Sequence, residues 1–141
     1  RRRILRNMTY LLDTHHMLWA VADTKKLSKE VIDVITDPEN KIIISTISFW
    51  EVSLKASLGK MELRGFSPED FPDACVKASF TIEGPGHAEC STYHQLKATY
   101  HNDPFDRMLI WQSICSDYTL ISADSQVKKY VSEGLKVWKE K

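Results

Sequence analysis

The sequence predicts a three-layer α/β fold, with helices on both faces of a central parallel sheet of four or five strands. Three observations predict it. Strand-like and helix-like segments alternate along the whole chain, and the connections between them are too short for a second domain. The clearest strand, Lys41-Ile42-Ile43-Ile44-Ser45, is β-branched and apolar without alternation, as expected of a strand covered on both faces. At 141 residues the chain is long enough to bury one core without disulfide or metal staples.

Met8 to Leu12 is a short apolar run stopping at Asp13, and after it Leu18, Val21 and Ala22 carry a helical spacing over His15 to Ala22. Ser28 is placed to cap a helix bearing Val31, Ile32 and Ile35, which Asp37-Pro38-Glu39-Asn40 breaks. After the strand at 41–45, a helix is expected from Phe49 to Leu58, stopped by Gly59. Ser67-Pro68-Glu69-Asp70 has the serine, proline and acids of a helix start, so 68–79 should be helical, with a brief strand over Phe80 to Ile82. Gly84-Pro85-Gly86 makes a turn, His87 to Lys97 a helix, and Asp103-Pro104 opens a long apolar helix to about Cys115. Tyr118 to Ser122 is a strand, Asp124 to Val131 a short helix, and Leu135 to Trp138 a last strand.

The composition, 43% hydrophobic and 27% charged, is that of a globular protein and excludes a disordered chain. Formal charge is zero, but Arg1, Arg2, Arg3 and Arg6 precede Met8 in a stretch without periodicity. Residues 1–7 are expected to be a non-native or flexible extension ahead of a single domain over 8–141. Without those four arginines, 15 basic residues face 19 acidic ones, a net charge of −4 that predicts only modest non-specific affinity for nucleic acid. Three widely spaced cysteines, Cys75, Cys90 and Cys115, form no CxxC pair and suit a reducing cytoplasm. No apolar run approaches the roughly 20 residues of a membrane-spanning helix, so a membrane partner is not expected.

Asp13 follows the first strand, Glu51 lies in the turns after the second, Asp106 opens a helix, and Asp124 follows the strand at 118–122. Taken singly, each has a structural explanation, because acids at helix starts accept unpaired backbone N–H groups and favour the positive end of the helix dipole. Ser48 with Glu51, and Asp103 with Asp106, even have the spacing of a capping box. Taken together the reading changes. A parallel sheet brings strand-to-helix junctions to one edge, beyond the carboxyl ends of the strands. Carboxylates so gathered need a counter-ion, and hard oxygen ligands suit Mg²⁺ or Mn²⁺ rather than zinc. The histidines form no HExxH pattern, and adjacent His15 and His16 read as surface and packing residues.

Tyr10-Leu11-Leu12-Asp13-Thr14-His15, Ser45 to Val52, His101 to Ile110 with its Asp103-Pro104-Phe105-Asp106-Arg107 core, and Leu120 to Asp124 resemble, in order and spacing, the four sequence blocks of PIN domains. The nearest branch is the VapC-type toxin ribonucleases, and the resemblance runs from about residue 8 to 131. It implies a PIN-like fold and a metal-dependent endoribonuclease, the toxin of a toxin–antitoxin pair. Asp13, Glu51, Asp106 and Asp124 then match the acidic quartet that binds Mg²⁺ or Mn²⁺. Asp103 resembles an extra acid of this branch and is read mainly as a helix cap. Thr14 and Ser122 are candidates for supporting the ligands through their hydroxyls, a role that turn capping explains equally well. Arg107 is a candidate for phosphate or carboxylate contact through its planar fork. The resemblance also implies an RNA substrate, a homodimer and a VapB-like antitoxin.

In the expected mechanism Asp13 and Asp106 are the principal ligands, while Glu51 and Asp124 bind a second ion or position water. The sequence leaves one and two ions open. Two rival readings fit poorly: a haloacid-dehalogenase-type phosphatase needs an acid at position 15, where His15 stands, and a receiver-type signalling module needs paired acids early and a lysine after a late strand, where Ser122-Ala123-Asp124 stands. The non-enzymatic alternative is a PIN-like binding module in which the acids only cap helices and the protein acts through dimerisation and a partner.

Overall fold

Leu11, Ile43 and Leu120 stand side by side in adjacent parallel strands, and their successors Leu12, Ile44 and Ile121 do the same one residue later. Side chains alternate across a strand, so the first three enter one hydrophobic layer and the next three the opposite one. All six are essentially inaccessible to solvent. Each such side chain contributes about 1.5–3 kcal/mol of burial, which is why these strands carry no polar face.

The computed structural model describes residues 8–140. The extension expected over 1–7 lies outside the described residues. The strands are β1 (Thr9–Leu12), β2 (Lys41–Ile44), β3 (Thr81–Ile82), β4 (Thr119–Ile121) and β5 (Lys136–Val137), and they form one parallel sheet in the order β3-β2-β1-β4-β5. The helices are α1 (Thr14–Ala22), α2 (Lys29–Thr36), α3 (Thr46–Ser57), α4 (Phe71–Lys77), α5 (His87–Thr92), α6 (Pro104–Ser116) and α7 (Ser125–Lys128). Met17 of α1, Val31 of α2, Val52 of α3 and Phe71 and Cys75 of α4 cover the Leu12 face. Leu109 and Ile110 of α6, Val127 of α7, Tyr130 and Leu135 cover the Leu11 face. The three-layer α/β/α expectation is met, with five strands. Among the described residues no helix is long and apolar enough to cross a membrane.

The chain builds outward from β1 through β2 to β3, then returns to place β4 on the other side of β1. The order therefore reverses between β1 and β4, and a crevice opens beyond their carboxyl ends. Beside it, Ser45 donates to Gln112 Oε1 (2.6 Å), Gln112 Nε2 donates to the Glu83 carbonyl (2.9 Å) and Tyr118 donates to Glu83 Oε2 (2.6 Å), a polar chain that ties β2, β3 and α6 together. Gly84 follows: a Cβ there would stand 2.2 Å from Thr46 Oγ1 and 3.3 Å from Thr46 Cβ, so a larger residue in this turn would have to displace the Thr46 side chain at the start of α3.

Several boundaries differ from expectation. The helix predicted over 87–97 ends at Thr92, whose hydroxyl donates back to the Ala88 carbonyl (2.7 Å), and a 3₁₀ turn replaces its last part. The segment predicted as a helix over 68–79 begins as a 3₁₀ turn before α4. The one predicted over 124–131 tightens into a 3₁₀ turn after Lys128 and closes on Gly134 at φ 99°.

Candidate functional site

Asp13 ends β1 and caps α1: its Oδ1 accepts the backbone N–H of His16 (2.8 Å) and faces His16 Nδ1 (2.9 Å). Asp124 follows β4 and caps α7, with Oδ1 accepting the Gln126 N–H (2.8 Å). Asp106 lies on the first turn of α6, where Asp103 is the cap and accepts the N–H groups of Phe105 (2.8 Å) and Asp106 (3.1 Å). Asp13, Asp106 and Asp124 line one pocket of about 340 Å³ together with His15, His16, Trp19 and Ala123. The capping explanation is thus true of one oxygen each on Asp13, Asp103 and Asp124. It does not account for Asp106, nor for Asp13 Oδ2.

Glu51 sits deeper. Its carboxylate is 3% exposed as a residue, with Oε1 accepting from Thr14 Oγ1 (2.6 Å) and Oε2 paired with the Lys55 ammonium one turn on. The capping box suggested by Ser48 and Glu51 does not form, because α3 starts earlier, with Ser45 as its cap, and leaves Ser48 inside the helix. Thr14 therefore supports Glu51, whereas Ser122 acts locally, its Oγ accepting the Asp124 N–H (3.1 Å).

Two side chains to which the sequence assigned no place among the acids complete the arrangement. His101 Nε2 lies 2.9 Å from Asp124 Oδ2 and 3.2 Å from Asp106 Oδ2. The three side chains are grouped closely enough to hold a metal ion. The ring's other nitrogen argues against that use: His101 Nδ1 accepts the Asp103 backbone N–H (3.1 Å), so in the neutral ring the proton sits on Nε2. His101 is then a donor to the two carboxylates and has no lone pair at Nε2 for a cation. Lys55 is the other, its ammonium reaching toward Asp103 Oδ2 at 4.0 Å as well as pairing with Glu51. Its signal was the Glu51-x-x-x-Lys55 spacing, which places opposite charges on one helical face.

Arg107 is used differently from its expected role. Its guanidinium donates to Tyr93 Oη (2.8 Å), Tyr130 Oη (2.8 Å), the Ala98 carbonyl (2.6 Å) and the Leu96 carbonyl (2.9 Å). Those bonds take four of the five N–H donors of the fork to neutral acceptors, and the side chain pins the loop at 96–103.

The electrostatics separate the acids. Burial, then Asp103 and Glu51, with Asp13 adding less, push the Asp106 carboxyl up to about 7, against the opposing effect of His101. For Asp124, partial burial works upward but is outweighed by the Gln126 N–H, His101 and the Val127 N–H, which hold its carboxylate below the ordinary value. Desolvation of Lys55 is likewise outweighed by Glu51, Asp103 and Asp106, which keep it protonated. The surroundings of Asp106 thus disfavour its charged form, whereas those of Asp124 favour it.

A PIN domain family model matches residues 10–132. The chain belongs to the PIN domain family. No curated protein sequence matches it. Among solved structures, this PIN domain is similar to VapBC2 from Rickettsia felis bound to a promoter DNA fragment, at 16% identity and a TM-score of 0.65, covering 95% of this chain and 100% of the other. VapBC-1 from nontypeable Haemophilus influenzae is similar at 16% identity and a TM-score of 0.65, covering 93% and 97% of the two chains. DNA-bound VapBC from Salmonella typhimurium follows at 13% identity and a TM-score of 0.65, covering 93% and 97%. At these identities the likeness is one of fold.

Proposed function

We propose that this PIN domain is a divalent-metal-dependent endoribonuclease that hydrolyses RNA phosphodiester bonds, and that it serves as the toxin of a VapBC-type pair. One observation carries the reading: Asp13 Oδ2 and Asp106 Oδ1 have no hydrogen-bond partner among the described residues, although both acids line the same pocket and the surroundings of Asp106 disfavour its charged form. Two unclaimed carboxylate oxygens at the sheet's switch point are a donor set for a hard cation such as Mg²⁺ or Mn²⁺. When bound, such a cation supplies Lewis acidity to a phosphodiester and acidifies the water that attacks it.

The chain's own groups divide the remaining work. Asp13 and Asp106 hold the cation. Asp124 and Glu51 fix the surrounding charge, Asp124 through His101 and Glu51 through Thr14 and Lys55. The test is RNA cleavage by the purified chain, which should need Mg²⁺ or Mn²⁺, stop with chelator, and stop in folded Asp13→Asn and Asp106→Asn variants. Unchanged cleavage in both variants would refute the assignment.

A protein partner is part of the proposal. Trp50 and Leu54 on α3 and Leu58 at its C-cap recur at four-residue intervals and are 59%, 36% and 57% exposed, an apolar stripe that a partner would cover. The VapBC neighbours favour an antitoxin as that partner, and the same stripe suits a homodimer. The non-catalytic binding-module reading would keep this surface and lose the metal requirement.

A further inference from the structure

Positive charge is already built into one side of this site. Lys55 reaches it from α3, one turn beyond Glu51, where its ammonium pairs with Glu51 Oε2, lies 4.0 Å from Asp103 Oδ2 and stands 6.0 Å from the centroid of the Phe105 ring. The Trp50 ring meets Phe105 edge-on at a centroid distance of 5.0 Å, so the shelf beneath the lysine is itself packed. Glu51's other oxygen is taken by Thr14, and the Asp103 Oδ1 atom by the two amides it caps. On the opposite side, Asp124 is occupied by the Gln126 amide and by the Nε2–H of His101. Subtracting these leaves only Asp13 Oδ2 and Asp106 Oδ1 unclaimed within the quartet, again among the described residues.

Two-metal sites need carboxylates to serve both ions, held about 3.5–4 Å apart. Here Glu51, one of the two acids expected to serve a second ion, already pairs with a cation that also reaches toward Asp103, and a divalent ion beside a paired ammonium would meet strong repulsion in a partly buried setting. We propose that Lys55 takes the place of a second divalent cation, so that this PIN domain binds a single divalent ion through Asp13 and Asp106 while its Glu51–Asp103 side is neutralised internally. The inference rests on the nuclease reading above and settles a point that reading leaves open, the number of ions.

It makes Lys55 a positioning residue with a readout independent of cleavage. The full chain is titrated with Mn²⁺ and the unbound ion is followed by its electron paramagnetic resonance signal. Wild type and Lys55→Arg should each bind one ion. Lys55→Gln, which removes the charge and releases Glu51 and Asp103, should bind two at millimolar Mn²⁺. Two ions in wild type would overturn the proposal, and that count stands whether or not a variant folds. One ion in folded Lys55→Gln would overturn it as well. No Mn²⁺ uptake by wild type would remove the metal-dependent nuclease reading itself, and this inference with it.

Discussion

Thr14 Oγ1 lies 2.6 Å from Glu51 Oε1, so the residue that begins the helix after β1 fixes the acid that follows β2. Both groups are buried, and the same hydroxyl stands 2.9 Å from Ser48 Oγ. The contact joins α1 to α3 across the mouth of the sheet. A carboxylate oxygen there is shielded from bulk solvent.

Thr14→Val should therefore cost more than the loss of one exposed hydrogen bond. An unpaired buried acceptor costs about 1–3 kcal/mol, more when it is charged. Urea denaturation should show a lowered midpoint with an unchanged slope, and Thr14→Ser should recover most of it. Equal stability in Thr14→Val would mean that Glu51 has another partner.

The Asp106 carboxyl, pushed up to about 7 chiefly by burial and by Asp103 and Glu51, makes stability pH-dependent. Between its ordinary value of 3.8 and about 7 the folded protein holds a proton that the unfolded chain has released. Stability from this group is therefore present at low pH and lost as pH rises toward 7. At about 1.4 kcal/mol per pH unit the effect is on the order of 4 kcal/mol at most. In chelator, the melting temperature of wild type should fall between pH 5 and pH 8 by more than that of Asp106→Asn, which lacks the titrating group. Adding Mg²⁺ should remove much of the wild-type loss at pH 8 and do little for Asp106→Asn. Identical pH profiles for the two proteins would show that Asp106 titrates normally.

What the sequence disclosed and what it did not divide along physical lines. The run Lys41 to Ser45 identified β2 because a doubly covered strand must be apolar throughout, and the same logic found β1 and β4. Asp13, Asp106 and Asp124 stood out because each directly follows or opens an element that periodicity locates, and Glu51 because it lies in the turns after β2. His101 did not, since it lies in the loop at 96–103, whose path depends on carbonyls captured by Arg107 and Tyr130 rather than on any local pattern. The bonds of Arg107 to that loop were hidden for the same reason. Its neighbour Asp106 faces the pocket, but adjacent helical residues point about 100° apart, which turns Arg107 toward the loop.

That loop gives a further prediction. Tyr130 Oη accepts the His101 backbone N–H (3.1 Å) and an Arg107 N–H (2.8 Å), and donates to the Ala98 carbonyl (3.0 Å). Arg107→Lys keeps the charge and loses the planar fork, so it should destabilise by about 2 kcal/mol. Hydrogen exchange should quicken at the amides of Ala98 and His101 while β1 and β2 stay protected. A variant with normal stability and slow exchange, yet weakened RNA binding, would restore the phosphate-contact role.

The stripe on α3 should behave oppositely to these interior groups. Leu54 and Leu58 are exposed, whereas Trp50, though exposed, keeps its ring against Phe105, so the two leucines are the cleaner sites to change. Leu54→Lys and Leu58→Lys should each alter the stability of the isolated chain by no more than about 0.5 kcal/mol, because neither loses a packed environment. If α3 is the face a partner covers, both should weaken copurification with an antitoxin or shift the hydrodynamic mass toward the monomer, since a lysine at the centre of an apolar contact must be desolvated there. Unchanged mass and unchanged copurification in the double variant would move the partner surface elsewhere on the molecule and leave the stripe without an assigned role.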